Sequence, residues 1–358
     1  MELHKFIKKR GQRIDFNHIK QNYFYIECQI ITHNKKNLRS YSMIKVSIMG
    51  ATGVIGKNVA FKLARTDVID EIVLFSREES FNKAKGETYD MYDALSAENV
   101  DCDLIPSSNY EDLKDSQVVL ITAGVPRKGD MDRLELAGTN ARIVREYARQ
   151  IAIHAPDTII LVATNPVDVM TTIAYKASGF ERSRVIGVGN HLDSLRLKTY
   201  LSRHFKIHSS EIHTRVIGEH GNHMVPLLSS TTIGGIPLRY FIETSDLDVR
   251  EIIQRLRNAG KTIIKKKGAT EFGPSYAISN LIMTIVRDHH KVLSVSTYLN
   301  GEIEGVKGVS LGVPAIISRH GVKMIIKINM HNIEKAEFLA AAKTIREVTN
   351  KVEKQLEE

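Results

Sequence analysis

With 358 residues, 42% of them hydrophobic and 25% charged, the chain has the make-up of a soluble globular protein long enough for two domains. No apolar run approaches the ~20 residues of a membrane-spanning helix, and its two cysteines, Cys28 and Cys102, exclude a disulfide framework and point to a reducing, cytoplasmic setting. The formal charge of +9 argues little for nucleic acid, because residues 1–42 hold nine Lys or Arg against three Asp or Glu and so carry +6 of it.

Residues 1–42 show no sustained helical or strand period. They are expected to be a disordered extension or a start-site artefact ahead of Met43; a targeting presequence is the functional alternative, without an amphipathic Arg/Ser-rich helix to support it. From Ile44 onward, short apolar runs at 44–49, 71–75, 118–122 and 159–163 alternate with helical stretches at 54–65, 82–97 and 134–153. Strand–helix alternation predicts a parallel sheet covered on both faces, hence an α/β, doubly wound domain over residues 43–187. The rest, 188–358, mixes predicted helices (192–205, 249–265, 276–288, 333–356) with strands near 212–217, 291–299, 308–317 and 322–329, an α+β domain.

Gly50-Ala51-Thr52-Gly53-Val54-Ile55-Gly56 follows the first predicted strand and opens the first helix. Such a turn lets the backbone approach a pyrophosphate, whose charge then sits at a helix N-terminus. The second strand ends in Ser76-Arg77, where an acidic residue would accept bonds from the ribose hydroxyls of NAD. A hydroxyl and a guanidinium suit a 2′-phosphate instead, so NADP is expected ahead of NAD, with dual use open.

Past the strand at 118–122, the glycine-flanked stretch Gly124 to Arg133 carries Arg127 and Arg133 and reads as a loop at the ligand-binding edge of the sheet, able to close over a substrate. Thr164-Asn165-Pro166-Val167 follows the strand at 159–163, and the Asn165 amide can donate and accept beside a substrate oxygen. Farther on, Asp193 and Arg196 lie three apart on one helix, and His220 sits in Gly218-Glu219-His220-Gly221. An aspartate can fix a histidine's tautomer, and an arginine fork fits a carboxylate, a combination suited to 2-hydroxy or 2-keto acids.

In order and spacing these motifs resemble the lactate/malate dehydrogenase family over Met43 to about residue 350, and most closely its archaeal-type NAD(P)-dependent malate dehydrogenases. The resemblance implies His220 as proton donor and acceptor, oriented by Asp193. It implies Arg196 on the substrate's C1 carboxylate, Arg133 polarising the carbonyl and Arg127 on a second carboxylate. Asn165 would bond the substrate, while Asn140 and the Ala163–Thr164 backbone would line the nicotinamide side. Malate or oxaloacetate is the expected substrate, lactate or sulfolactate the alternative, and a homodimer or homotetramer the expected assembly. No metal site is expected, since His213, His220 and His223 lack zinc-ligand spacing. A non-catalytic dinucleotide-binding protein and an NAD-dependent glycosidase are the readings from other classes.

Overall fold

The computed structural model describes residues 43–125 and 133–357. In chain order the elements are β1 (Lys45–Met49), α1 (Val54–Ala64), β2 (Glu71–Phe75), α2 (Phe81–Glu98), β3 (Asp103–Ser107), β4 (Val118–Ile121), α3 (Arg133–His154), β5 (Ile159–Val162), α4 (Val167–Ser178) and β6 (Val185–Gly187). There follow α5 (Asn190–Phe205), β7 (Ile212–His213), β8 (Val216–Gly218), β9 (Met224–Pro226), β10 (Thr232–Ile233), β11 (Ile236–Pro237), α6 (Leu238–Glu243), α7 (Val249–Lys267), α8 (Phe272–Val286), β12 (Lys291–Asn300), β13 (Lys307–Ser318), β14 (Gly321–Ile325) and α9 (Asn332–Glu357).

The first six strands run parallel in the order β3-β2-β1-β4-β5-β6, the doubly wound arrangement in which ligands bind beyond the strands' C-terminal ends. Successive residues of these strands feed opposite faces, as a period of two requires. Met49, Val73, Val119, Ile121, Ile160 and Val162 pack under α3, α4 and α9. Ile48, Ile72, Leu74, Leu120 and Leu161 pack under α1, α2 and α8.

The sheet does not stop at Gly187. Gly187 faces Ser296 on antiparallel β12, and the sheet continues through β13, β8 and β9. A third cluster, around Leu197, Leu201, Val216, Ile233 and Leu256, packs α5 and α7 onto β8 and a small sheet of β11, β10 and β7. Helix α7 starts at Asp248, whose carboxylate caps the N–H groups of Arg250 and Glu251, and ends at Gly268 with Lys265, Lys266 and Lys267 exposed in its last turn.

Several elements depart from the sequence expectation. The strand expected at 212–217 is two strands in different sheets, β7 and β8, and the strand expected to reach 329 ends at Ile325. β3, α4 and β6 carried no clear signal. β3 contains Pro106, which an edge strand tolerates because its donor side can go unpaired. In α4, nine of twelve residues are buried, so no polar face marks the helical period.

Candidate functional site

Three turns meet at the C-terminal edge of the parallel strands. The glycine turn is the first. Gly50 has φ +91°, donates its N–H to the carbonyl of Phe75 at 3.0 Å, and would place a Cβ 2.7 Å from the backbone nitrogen of Ala123. Only glycine meets both demands. A Cβ on Gly56 would lie 2.5 Å from the Gly50 carbonyl oxygen, so α1 packs on the turn only with hydrogen there. Ala51 is buried behind it, Thr52 and Ile55 are partly exposed, and Gly53 and Val54 are open to solvent at the helix start. This cradle fits a pyrophosphate: backbone N–H groups at a helix N-terminus, with no side chain in the way.

Beside the turn, Ser76 is buried at the end of β2 and its hydroxyl donates to the Arg77 carbonyl at 3.2 Å. The Arg77 side chain is 75% exposed, with Glu79 its loose partner at 3.9 Å. Of the two, the guanidinium is the group available to an approaching phosphate.

The second and third turns follow β4 and β5, and Asn140 of α3 clamps them together. Its Oδ1 accepts from the Val125 N–H at 2.8 Å and its Nδ2 donates to the Asn165 carbonyl at 2.8 Å. Thr164 adds a hydroxyl bond to the Ala123 carbonyl at 2.7 Å. Asn140 thus spends its side chain on backbone, and Ala163 and Thr164 lie on the clamped segment. Asn165 itself is exposed, and its bond to Pro166 is cis. Arg127 lies outside the described residues, and Arg133 is described only as the first residue of α3.

His220 and its partners come from elements far apart in sequence. Asp193, wholly buried on α5, brings Oδ2 to 2.6 Å from His220 Nδ1 and accepts at Oδ1 from the Arg196 guanidinium at 3.2 Å. An ionised carboxylate only accepts, so the imidazole donates from Nδ1 and leaves Nε2 for proton exchange. The His220 side chain keeps 19% exposure and Arg196 keeps 16%, enough to meet a small ligand from one side. Burial presses His220 toward the neutral form, but Asp193, by charge and hydrogen bond, and Asp168, by charge, outweigh it and raise its affinity for a proton.

Three residues of this cradle had no role in the sequence reading. Asp168, in the first turn of α4, accepts the His220 backbone N–H at 2.8 Å and the Ser296 hydroxyl at 2.6 Å. Gly189 leaves room for the ring, since a Cβ there would lie 2.7 Å from the Cβ of His220. The only sequence signal was Asp168 itself, a carboxylate three residues past Asn165; Ser296 and Gly189 carried none. Among the described residues no group of three or more His, Cys, Asp or Glu could hold a metal, and no helix is long and apolar enough to cross a membrane. His204, His208, His213, His223, His289 and His290 are exposed.

Residues 44–187 match the lactate/malate dehydrogenase NAD-binding domain, and residues 190–356 match the alpha/beta C-terminal domain of the same family. A malate dehydrogenase from Methanosphaera stadtmanae is 63% identical over 314 residues, covering 88% of this chain and 99% of that protein. An L-2-hydroxycarboxylate dehydrogenase (NAD(P)(+)) from Methanocaldococcus jannaschii is 44% identical, covering 86% of this chain and 99% of its own length. Among solved structures, a lactate dehydrogenase from a Medee basin deep-sea metagenome library superposes with a TM-score of 0.83 at 30% identity, covering 87% of this chain and 100% of that one. The chain belongs to the lactate/malate dehydrogenase family, with its NAD-binding domain ahead of its alpha/beta C-terminal domain.

Proposed function

We propose that this protein is an NAD(P)-dependent malate dehydrogenase in which His220 exchanges the proton and Arg196, Arg133 and Arg127 define the acid. One observation carries the reading: a buried Asp193 holds His220 at 2.6 Å while the same carboxylate orients Arg196. The 44–187 half holds the dinucleotide through Gly50–Gly56, and the 188–358 half supplies Asp193, Arg196 and His220. A nicotinamide held there would supply and take back a hydride at C2 of the acid. In oxaloacetate reduction the protonated His220 gives its Nε2 proton to the carbonyl oxygen, and Asp193 stabilises the imidazolium beforehand. Arg196 binds the C1 carboxylate with a planar fork, and Asn165 bonds the substrate from the exposed turn. Arg133 stabilises charge on the carbonyl oxygen, and Arg127 takes the second carboxylate.

NADP is the preferred cofactor on this reading, with NAD accepted as well. Its support is the exposed Arg77 guanidinium where a carboxylate would repel the 2′-phosphate. The protein works in the cytoplasm, where its one described cysteine, buried Cys102, stays a thiol. It assembles as a homodimer or homotetramer, for which exposed Tyr89, Phe272 and Tyr276 offer apolar surface. The relative named L-2-hydroxycarboxylate dehydrogenase favours a second reading, a broader 2-hydroxy-acid enzyme with the same machinery.

Steady-state kinetics with oxaloacetate and pyruvate against NADPH and NADH separate the two. Arg127→Gln should lower kcat/KM for oxaloacetate by roughly thirtyfold to several thousandfold, the loss from unpairing a desolvated carboxylate, and leave pyruvate unchanged or improved. Equal losses on both substrates would remove the malate assignment.

A further inference from the structure

His220 is held by two carboxylates, and only Asp193 touches its ring. Asp168 is 1% exposed, and its two oxygens serve one donor each, the His220 backbone N–H and the Ser296 hydroxyl. Any carbonyl oxygen could accept those bonds, so hydrogen bonding alone does not call for a charge. A buried carboxylate is costly without a cation nearby. Yet among the described residues no Lys or Arg pairs with Asp168; the cation whose charge favours its ionised form is His220 itself, while Glu219 opposes it. Asp168 also shares a turn with Asn165, and a Cβ at Gly189 would strike both the His220 ring and Val167, so the α4 start and the histidine are packed as one piece.

We propose that Asp168, backed by Ser296, is a positioning residue for His220: it anchors the histidine's backbone to the Asn165 turn and sets a second negative charge beside the imidazole. The inference rests on the reading of His220 as the proton carrier. The described charged groups acting on the ring are Asp193 and Arg196 of α5 and Asp168 of α4, with Glu219 beside it acting on Asp168. Burial pushes the Asp168 carboxyl up to about 6, against the Ser296 and His220 hydrogen bonds, so its charge is in place above that pH. There it favours imidazolium, and its removal lowers the pH at which His220 loses its proton.

Asp168→Asn keeps an acceptor for the His220 N–H and removes the charge. In the full chain with isotope-labelled histidine, NMR should show the His220 midpoint lowered relative to wild type, with His191 unmoved. The falling limb of oxaloacetate reduction with pH should move by the same amount, while KM for oxaloacetate changes less than about twofold. Ser296→Ala weakens the carboxylate's hold on its charge without touching His220, and should give a smaller shift of the same sign. It decides the matter if Asp168→Asn does not fold. An unchanged His220 midpoint in a folded Asp168→Asn, or in Ser296→Ala where that alone folds, overturns the proposal. If instead the wild-type rate does not follow the His220 titration, the reading of His220 as proton carrier fails, and the NMR midpoint still judges Asp168.

Discussion

The glycine turn and the histidine cradle lie at the same edge of one sheet but are built in opposite ways. The turn is contiguous: seven residues from Gly50 to Gly56 make it, and its requirements are met by backbone alone. The cradle draws on β8, α5, α4 and β12, joining His220 to Asp193, Asp168 and Ser296 across as many as 128 positions of sequence. A ligand recognised by main-chain N–H groups needs only the right dihedral angles, and these are written locally. A proton carrier needs a tuned charge environment, and several elements must converge to build one.

The largest expected effect tests the convergent half. His220→Asn should lower kcat for oxaloacetate reduction by about 10²- to 10⁴-fold while the protein stays folded and the KM for NADPH stays within a few-fold, because general acid catalysis is lost and the turn is untouched. A comparable loss of NADPH binding, read by fluorescence titration, would mean the two regions are not separable.

Gly56→Val tests the local half. Its side chain would meet the Gly50 carbonyl and the Ala51 Cα, backbone atoms with nowhere to go. Stability should fall by about 1 to 3 kcal/mol, with a rise in KM for NADPH of at least about tenfold. Gly86→Ala is the matched control, since open space surrounds that position on α2; it should be neutral or gain about 0.5 to 1 kcal/mol. Equal melting curves for the two variants would refute the packing argument.

The same division explains what could be read from sequence. Gly50, Gly53 and Gly56 are legible because the triplet lies between a predicted strand and a predicted helix, the context that separates a phosphate cradle from an ordinary tight turn. His220, Asp193 and Arg196 were legible as motifs, and the resemblance implied them as partners, but the buried geometry that joins them, Asp193 Oδ2 at 2.6 Å from His220 Nδ1, exists only in the fold. Gly189 could not be singled out, because the reason for its missing side chain is the His220 ring lying against it. Ser296 looked like any polar residue of a strand, and its role exists only because β12 pairs with Gly187 above α4. Asn140, expected to line the nicotinamide side, also bonds the backbone of two turns, contacts that its place in the sequence did not announce.

A smaller effect sharpens the comparison at the turn's outer rim. Ser76→Asp with Arg77→Ile should weaken NADPH about tenfold to a hundredfold more than NADH, through one lost charge-assisted contact and a new carboxylate facing the phosphate. An unchanged ratio of kcat/KM for the two cofactors would leave Arg77 a surface residue.

The pH dependence of kcat/KM for oxaloacetate reduction, at saturating NADPH, bears most directly on the convergent site. Its two carboxylates raise His220 above its ordinary value of 6.5, so the donor is protonated below the raised midpoint and loses its proton above it. The rate should be level at lower pH and then fall about tenfold per pH unit beyond a single midpoint lying above 6.5. A profile without that fall, or one with its midpoint below 6.5, would contradict a carboxylate-held His220 as the proton donor.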